Sequence, residues 1–438
     1  MATHRSDEFR AIVADALTHF QAGRLAEAER TYRAALALAP ADPAVTHNLG
    51  VAIAAQGNHR TAVSCFEEAL RADPSFVSAH FNRGAALTRL GEIEAAIKAF
   101  SRAAQLDPQL YDAHRILGFL WLSRGDRGRS LDHFARTYEL RRGDDRTTIA
   151  RKSLTTATRH KLEHDAEQFL YLSQQTRDRL RFELLARSYR AVGAQLPYKI
   201  IALSDPQIDT LGGDYNTPIH SRAAPEVAGS AINERTDRDS LAAQFDEQGA
   251  VFVDDLLTLQ ALDSLRRFLL ESTIWHDFFH IEGFVASYLE DGLACPLLLQ
   301  IADEIRGGFS EILGQYSLSQ AWAFKGLQAQ AAVDVHADDA AVSVNFWVTP
   351  TEANLDPEHG GLVVCCTPPP DDWKIKDYDA DRARIVTFLE QNAGKSLVVP
   401  YSQNRAVIFR SRLFHYSDSP KFAPEYENRR LNLTLLYG

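Results

Sequence analysis

The sequence predicts an α + β multidomain protein, with an α-helical repeat solenoid in its first third and a β-sandwich or barrel with flanking helices after it. Three observations carry this reading. A period of 34 residues runs through the N-terminal region, with Pro40, Pro74 and Pro108 in one column and Gly23, Gly57, Gly91 and Gly125 in another. Helical periodicity gives way near residue 200 to a stretch rich in Gly, Pro, Asn and Asp. After about residue 320 the chain breaks into short apolar or alternating runs bounded by turn residues. A length of 438 residues suits two or three domains.

Each column of the repeat has a physical role. The glycine ends the first helix of a pair, where a left-handed residue is needed. Ala28, Ala62 and Ala96, with Ser130 in the fourth slot, are small enough for two helices to approach closely. Tyr32, Phe66, Phe100 and Phe134 fill the space between neighbouring repeats, and Ala35, Ala69 and Ala103, followed by Thr137, complete the register. The proline closes the second helix. These columns resemble the tetratricopeptide repeat over roughly residues 9–144. The fourth copy is weaker and has Arg142 where proline is expected. The predicted organisation is about four repeats in residues 1–144, a helical cap or connector at 145–200 and a second domain at 201–438, with its β core at about 320–438. Arrays of this kind present a concave groove to a peptide or protein.

Composition narrows the function. The net charge of −11 argues against a nucleic-acid backbone or an anionic membrane as the main partner. Four cysteines without a paired spacing predict reduced, cytoplasmic usage. The N-terminus lacks an apolar signal core, and no long apolar run predicts a membrane span.

The chemistry begins at Asp334–Trp347, DVHADDAAVSVNFW. In a strand, residues i and i+2 point the same way, so His336 and Asp338 can offer an imidazole and a carboxylate to one ion. A third candidate, His415, lies in NRAVIFRSRLFHYSDSP, far enough along the chain to come from another strand. Two histidines and one carboxylate on one face of an octahedron leave positions open, an arrangement diagnostic of non-haem Fe(II) oxygenases. The last predicted strand, NRRLNLTLLYG, puts Arg430, Asn432 and Thr434 on one face and Arg429 on the other with Leu431 and Leu433. Parity selects Arg430 over Arg429 as a bidentate clamp for a dicarboxylate, with Thr434 adding a hydrogen bond.

His336-Ala-Asp338, then His415, then Arg430 resembles the Fe(II)/2-oxoglutarate-dependent dioxygenases, and roughly residues 205–438 are similar to a bacterial subgroup in which that domain follows tetratricopeptide repeats. The resemblance implies a double-stranded β-helix (jelly-roll) core. It implies Fe(II) held by His336, Asp338 and His415, 2-oxoglutarate held by Arg430, and dioxygen as the oxidant. In members that halogenate, a small residue replaces the carboxylate, so Asp338 implies hydroxylation. The expected substrate is a peptide or protein side chain recruited by the repeats. The alternatives are a free small molecule, or an adaptor that has lost catalysis.

Other candidates have plainer readings. His276 and His280 have a helical zinc-pair spacing but no HExxH glutamate, and they lie in an aromatic run that reads as core or substrate-side packing. His359 reads as a solvated turn residue. Of the adjacent Cys365 and Cys366, one reads as core. Asn345, Trp347, Trp322 and Lys325 are either pocket-lining or structural.

Overall fold

The computed structural model describes residues 2–143, 154–234, 238–279, 283–327, 333–373, 381–392, 394–417 and 420–438. By internal contacts the chain divides into two compact units, Met1–Trp121 and Leu122–Gly438.

The first unit is a series of antiparallel helices: α1 (Ala2–Gln21), α2 (Leu25–Leu38), α3 (Pro43–Ala55), α4 (His59–Ala72), α5 (Val77–Arg89), α6 (Ile93–Leu106) and the start of α7 (Tyr111–Ser123). The glycine column does what the repeat requires of it. Gly23, Gly57, Gly91 and Gly125 have φ of 72°, 84°, 74° and 74° at the ends of α1, α3, α5 and α7. Asp42 and Asn58 cap α3 and α4 by accepting from the amides of Val45 and Thr61. The small-residue column is fully buried, with Ala28, Ala62 and Ala96 at 0 % exposure.

Two rings of the aromatic column, Phe66 and Phe100, lie against the glycine of the first helix in their own pair. A Cβ added at Gly50 would stand 2.7 Å from the Phe66 ring, and one at Gly84 would stand 2.9 Å from three atoms of the Phe100 ring. Gly84→Ala is therefore expected to destabilise the first unit. Overpacking costs about 1–3 kcal/mol, which outweighs the ~1 kcal/mol that alanine gains as a helix former. Thermal unfolding checks this, with an unchanged or raised midpoint as the contrary result.

The second unit takes the end of α7 and then α8 (Arg127–Arg142), so this division runs inside the fourth repeat. Next come β1 (Thr156–Ala157), α9 (Arg159–Gln175), α10 (Arg179–Gly193), β2 (Ile201–Ala202) and α11 (Asp205–Leu211). α9 and α10 pack through Leu162, Phe169, Phe182 and Tyr189. Gln168 of α9 donates to the carbonyls of Leu270 and Ser272, which binds the connector to the rest of this unit.

The remaining elements are α12 (Arg238–Gln248), β3 (Ala250–Val253), α13 (Leu259–Glu271), β4 (Phe284–Tyr288), α14 (Pro296–Gly308), α15 (Ser310–Leu313), β5 (Leu318–Gly326), β6 (Val333–His336), β7 (Val342–Trp347), β8 (Leu362–Cys365), α16 (Arg382–Gln391), β9 (Ser396–Val399), β10 (Ala406–Arg410), β11 (His415–Ser417) and β12 (Leu431–Tyr437). They form a six-stranded sheet in the order β3-β10-β7-β12-β5-β4 and a four-stranded sheet in the order β6-β11-β8-β9. The pairings are antiparallel. The two edge strands of the larger sheet, β3 and β4, come from upstream of the predicted β core. One apolar cluster takes Trp347, Val407 and Phe409 from the larger sheet and Leu362, Val364 and Val399 from the smaller, so the sheets share a core.

Candidate metal centre between two sheets

His336 closes β6 and His415 opens β11, and the two are direct partners across the antiparallel pair. Residues opposite each other in such a pair hold their side chains within reach of one another. Their ring centroids are 4.3 Å apart. Asp338, two residues past His336, brings Oδ1 to 4.0 Å from His336 Nε2 and Oδ2 to 3.6 Å from His415 Nε2. One ligand atom from each residue lies within 4.8 Å of the others, and this is the group found among the described residues that could hold an ion.

Backbone carbonyls set the tautomers. His336 Nδ1 donates to the Asp334 carbonyl at 2.7 Å, and His415 Nδ1 donates to the Leu413 carbonyl at 3.0 Å. A carbonyl can only accept, so each ring carries a proton on Nδ1 and turns Nε2 toward Asp338. Burial, with His336 adding to it, lowers the His415 pKa to about 4, which keeps that imidazole neutral and able to ligate at ordinary pH.

The three side chains line a cavity of about 170 Å³ between the sheets. Its larger-sheet wall carries Phe284, Trp322, Phe324, Asn345, Asn432 and Thr434. The register explains the grouping. Thr434 pairs with Asn345 on one side and with Trp322 on the other, so alternate residues of three adjacent strands point into one space.

Arg430 lines the same cavity at 4 % exposure. Its Nε donates to the Gly360 carbonyl at 2.9 Å, and its guanidinium lies 5.7 Å from the centre of the Trp347 ring. Gly360 has a φ of 88°, and a Cβ at Gly361 would stand 1.9 Å from the Val399 carbonyl, so the backbones of this turn and of β9 require glycine here. Arg429 points elsewhere and is paired with Glu167 of α9. Thr434 Oγ1 accepts from Asn432 Nδ2 at 3.3 Å. Asn345 Oδ1 is buried in the cavity wall with no hydrogen-bond partner among the described residues. Such an atom is costly unless something else meets it.

The remaining candidates separate cleanly. Trp322 lines the cavity, whereas Lys325, of opposite parity on β5, is fully buried on the other side with its Nζ 3.3 Å from the centre of the Tyr426 ring. Burial, with Arg429 nearby, holds the Lys325 pKa well below the usual lysine range. Trp347 belongs to the shared core under Arg430. His276 is buried and hydrogen bonded to Tyr138 and Asn216, a packing role, while His280 lies outside the described residues. His359 is exposed and 3.0 Å from Asp356. Cys365 is buried and Cys366 half-buried. Phe284, Phe324, Ser343 and Ser411 were not anticipated. Parity with Trp322 on β5 and with Asn345 on β7 was the available signal for Phe324 and Ser343.

Among the described residues no helix is long and apolar enough to cross a membrane. No curated protein matches the chain. Of solved structures, the first tetratricopeptide domain of Spaghetti (RPAP3) bound to the HSP90 peptide SRMEEVD is 23 % identical, covers 27 % of this chain and 95 % of its own, and has a TM-score of 0.27. MamA from residue 41 to its end, from Desulfovibrio magneticus RS-1, is 23 % identical over 33 % of this chain and 82 % of its own, with a TM-score of 0.31. YrrB, described as a tetratricopeptide protein with an unusual peptide-binding site, is 17 % identical over 34 % of this chain and 75 % of its own, with a TM-score of 0.29. Residues 13–59 and 47–111 match the family described as tetratricopeptide repeat, and the N-terminal region is accordingly a helical tetratricopeptide solenoid.

Proposed function

We propose that the second unit is an Fe(II)/2-oxoglutarate-dependent hydroxylase built on a double-stranded β-helix. The observation that carries this reading is the convergence, in one cavity, of His336, Asp338 and His415 with the buried Arg430. The donor set fits the group. Two imidazoles and one carboxylate suit a non-haem ferrous ion with positions to spare, and a guanidinium suits the far carboxylate of a keto diacid. Asn345 Oδ1, without a partner among the described residues, marks a polar place on the wall. The ion, when bound with 2-oxoglutarate and dioxygen, supplies the oxidising chemistry that turns the co-substrate to succinate and carbon dioxide and a substrate C–H to C–OH.

The chain's own residues orient and shield that chemistry. Arg430, held by Gly360 and stacked near Trp347, anchors one end of the co-substrate and fixes its reach to the ion. Thr434 adds a hydroxyl beside it. Phe284, Trp322 and Phe324 exclude water from the remaining wall and face the substrate. We further propose that the substrate is a peptide or protein side chain. The repeats would raise its effective concentration at the cavity by holding it on the same chain. A gain of one oxygen atom in cellular peptides, present with the gene and absent without it, tests the substrate reading.

Arg430→Ala is expected to raise the 2-oxoglutarate requirement by about 30-fold or more, the equivalent of the ~2 kcal/mol or more lost when a buried charge partner is removed. Arg429→Ala leaves that requirement unchanged and lowers stability instead, because Glu167 loses its partner. Succinate release measured against 2-oxoglutarate concentration separates the two, and the opposite assignment would move the clamp to Arg429.

A further inference from the structure

Asp338 is backed by two buried hydroxyls. Ser343 Oγ donates to Asp338 Oδ2 at 2.6 Å, and Ser343 Oγ and Ser411 Oγ are 2.8 Å apart. Both serines are 0 % exposed. A hydroxyl has one proton to give. Since Ser343 gives its proton to the carboxylate, Ser411 must be the donor in the second bond. The chain therefore runs Ser411 to Ser343 to Asp338, with each donation strengthening the next.

Three separate segments meet here: Ser343 from β7, Ser411 from the turn after β10 and Asp338 from the turn after β6. The backbone completes the frame. Asp338 N–H donates to the Ser411 carbonyl at 2.9 Å, and Ser411 N–H donates to the Ala341 carbonyl at 3.0 Å. The carboxylate thus has its position fixed by the main chain and its rotation fixed by Ser343.

We infer that Ser343, backed by Ser411, is a positioning residue for Asp338: it fixes the rotation of the carboxylate so that Oδ1 and Oδ2 stand 4.0 Å and 3.6 Å from the Nε2 atoms of His336 and His415. This rests on the iron reading above. Its consequence is that the three donor groups stay converged on one place, and Ser343 does this without touching substrate or co-substrate. Its sequence signal is its parity with Asn345 on β7.

Co(II) is the probe, since its visible bands respond to coordination number and it is inert to dioxygen activation. The full chain is titrated without oxygen, first with Co(II) and then with 2-oxoglutarate. Ser343→Ala is expected to weaken Co(II) binding about 10–100-fold, the usual effect of removing an outer partner of a metal ligand, and to change the band intensity. Ser343→Thr, which keeps the hydroxyl, restores both. If Ser343→Ala fails to fold, Ser411→Ala carries the test, with weaker Co(II) binding and the same direction of spectral change expected. Wild-type affinity and an unchanged spectrum in the hydroxyl-free variant would overturn the inference alone. Failure of the wild type to take up Co(II) would overturn it together with the iron reading.

Discussion

Arg142→Ala is expected to lower the stability of the second unit by about 3–5 kcal/mol, the cost of leaving a buried charge without its partner. Arg142 closes α8 and meets Asp291 through two bonds, Nε to Oδ1 at 2.9 Å and Nη2 to Oδ2 at 2.8 Å. The two side chains are 2 % and 1 % exposed. Burial alone would raise the Asp291 pKa, but the Arg142 guanidinium overrides it and holds the carboxyl well below the usual range. The sign of the pH effect follows. A depressed carboxyl pKa contributes stability that is fully present above the unfolded value of about 3.9 and is lost progressively as pH falls from there through the depressed folded value. The wild type should weaken steeply below about pH 4, and Arg142→Ala should show a flatter acid limb from a lower plateau. Arg142→Met with Asp291→Leu should recover most of the loss, because the apolar pair leaves no charge behind. Denaturant unfolding across pH reads all three. Equal stability of Arg142→Ala and wild type would show that Arg141, 3.7 Å from Asp291, suffices as its partner.

The second large effect is at the proposed centre. Without oxygen, Fe(II) and 2-oxoglutarate, each at about a hundred times its dissociation constant, should stabilise the wild type by about 2.7 kcal/mol apiece, about 5.4 kcal/mol together, which raises the unfolding midpoint by roughly 10 °C at about 2 °C per kcal/mol. His336→Ala should abolish the shift and the turnover of 2-oxoglutarate to succinate. His336 suits this test because its side chain is 36 % exposed, so its removal leaves the fold largely intact. A shift of equal size in His336→Ala would place the ion elsewhere. No shift in the wild type would favour an adaptor that has lost catalysis.

The legibility of the chain follows from how local each feature is. The repeat register could be read from the sequence because every column acts within one helix pair, as Gly57 at its turn and Phe66 against Gly50 show. The same register exposed Arg142 as an irregularity, but only the fold supplies Asp291 to explain it. Just before β12, the parity of the strand, carried back two residues, separates Arg430, which lines the cavity, from Arg429, which pairs with Glu167. Strands β3 and β4 escaped notice because each is short and lies apart from the other strands in sequence. Their identity comes from pairing with β10 and β5. The hydroxyl chain behind Asp338 escaped for the same reason, because Ser343 and Ser411 gain their role only where three segments meet.

The central claim is that His336, Asp338 and His415 hold one divalent ion with Arg430 positioned for a keto diacid. Anomalous scattering from crystals grown without oxygen in Fe(II) and 2-oxoglutarate tests it most directly. The account predicts one iron peak within bonding distance of all three side chains, with the bound acid's far carboxylate on the Arg430 guanidinium. An ion bound away from these residues, or crystals that hold 2-oxoglutarate on Arg429, would contradict it.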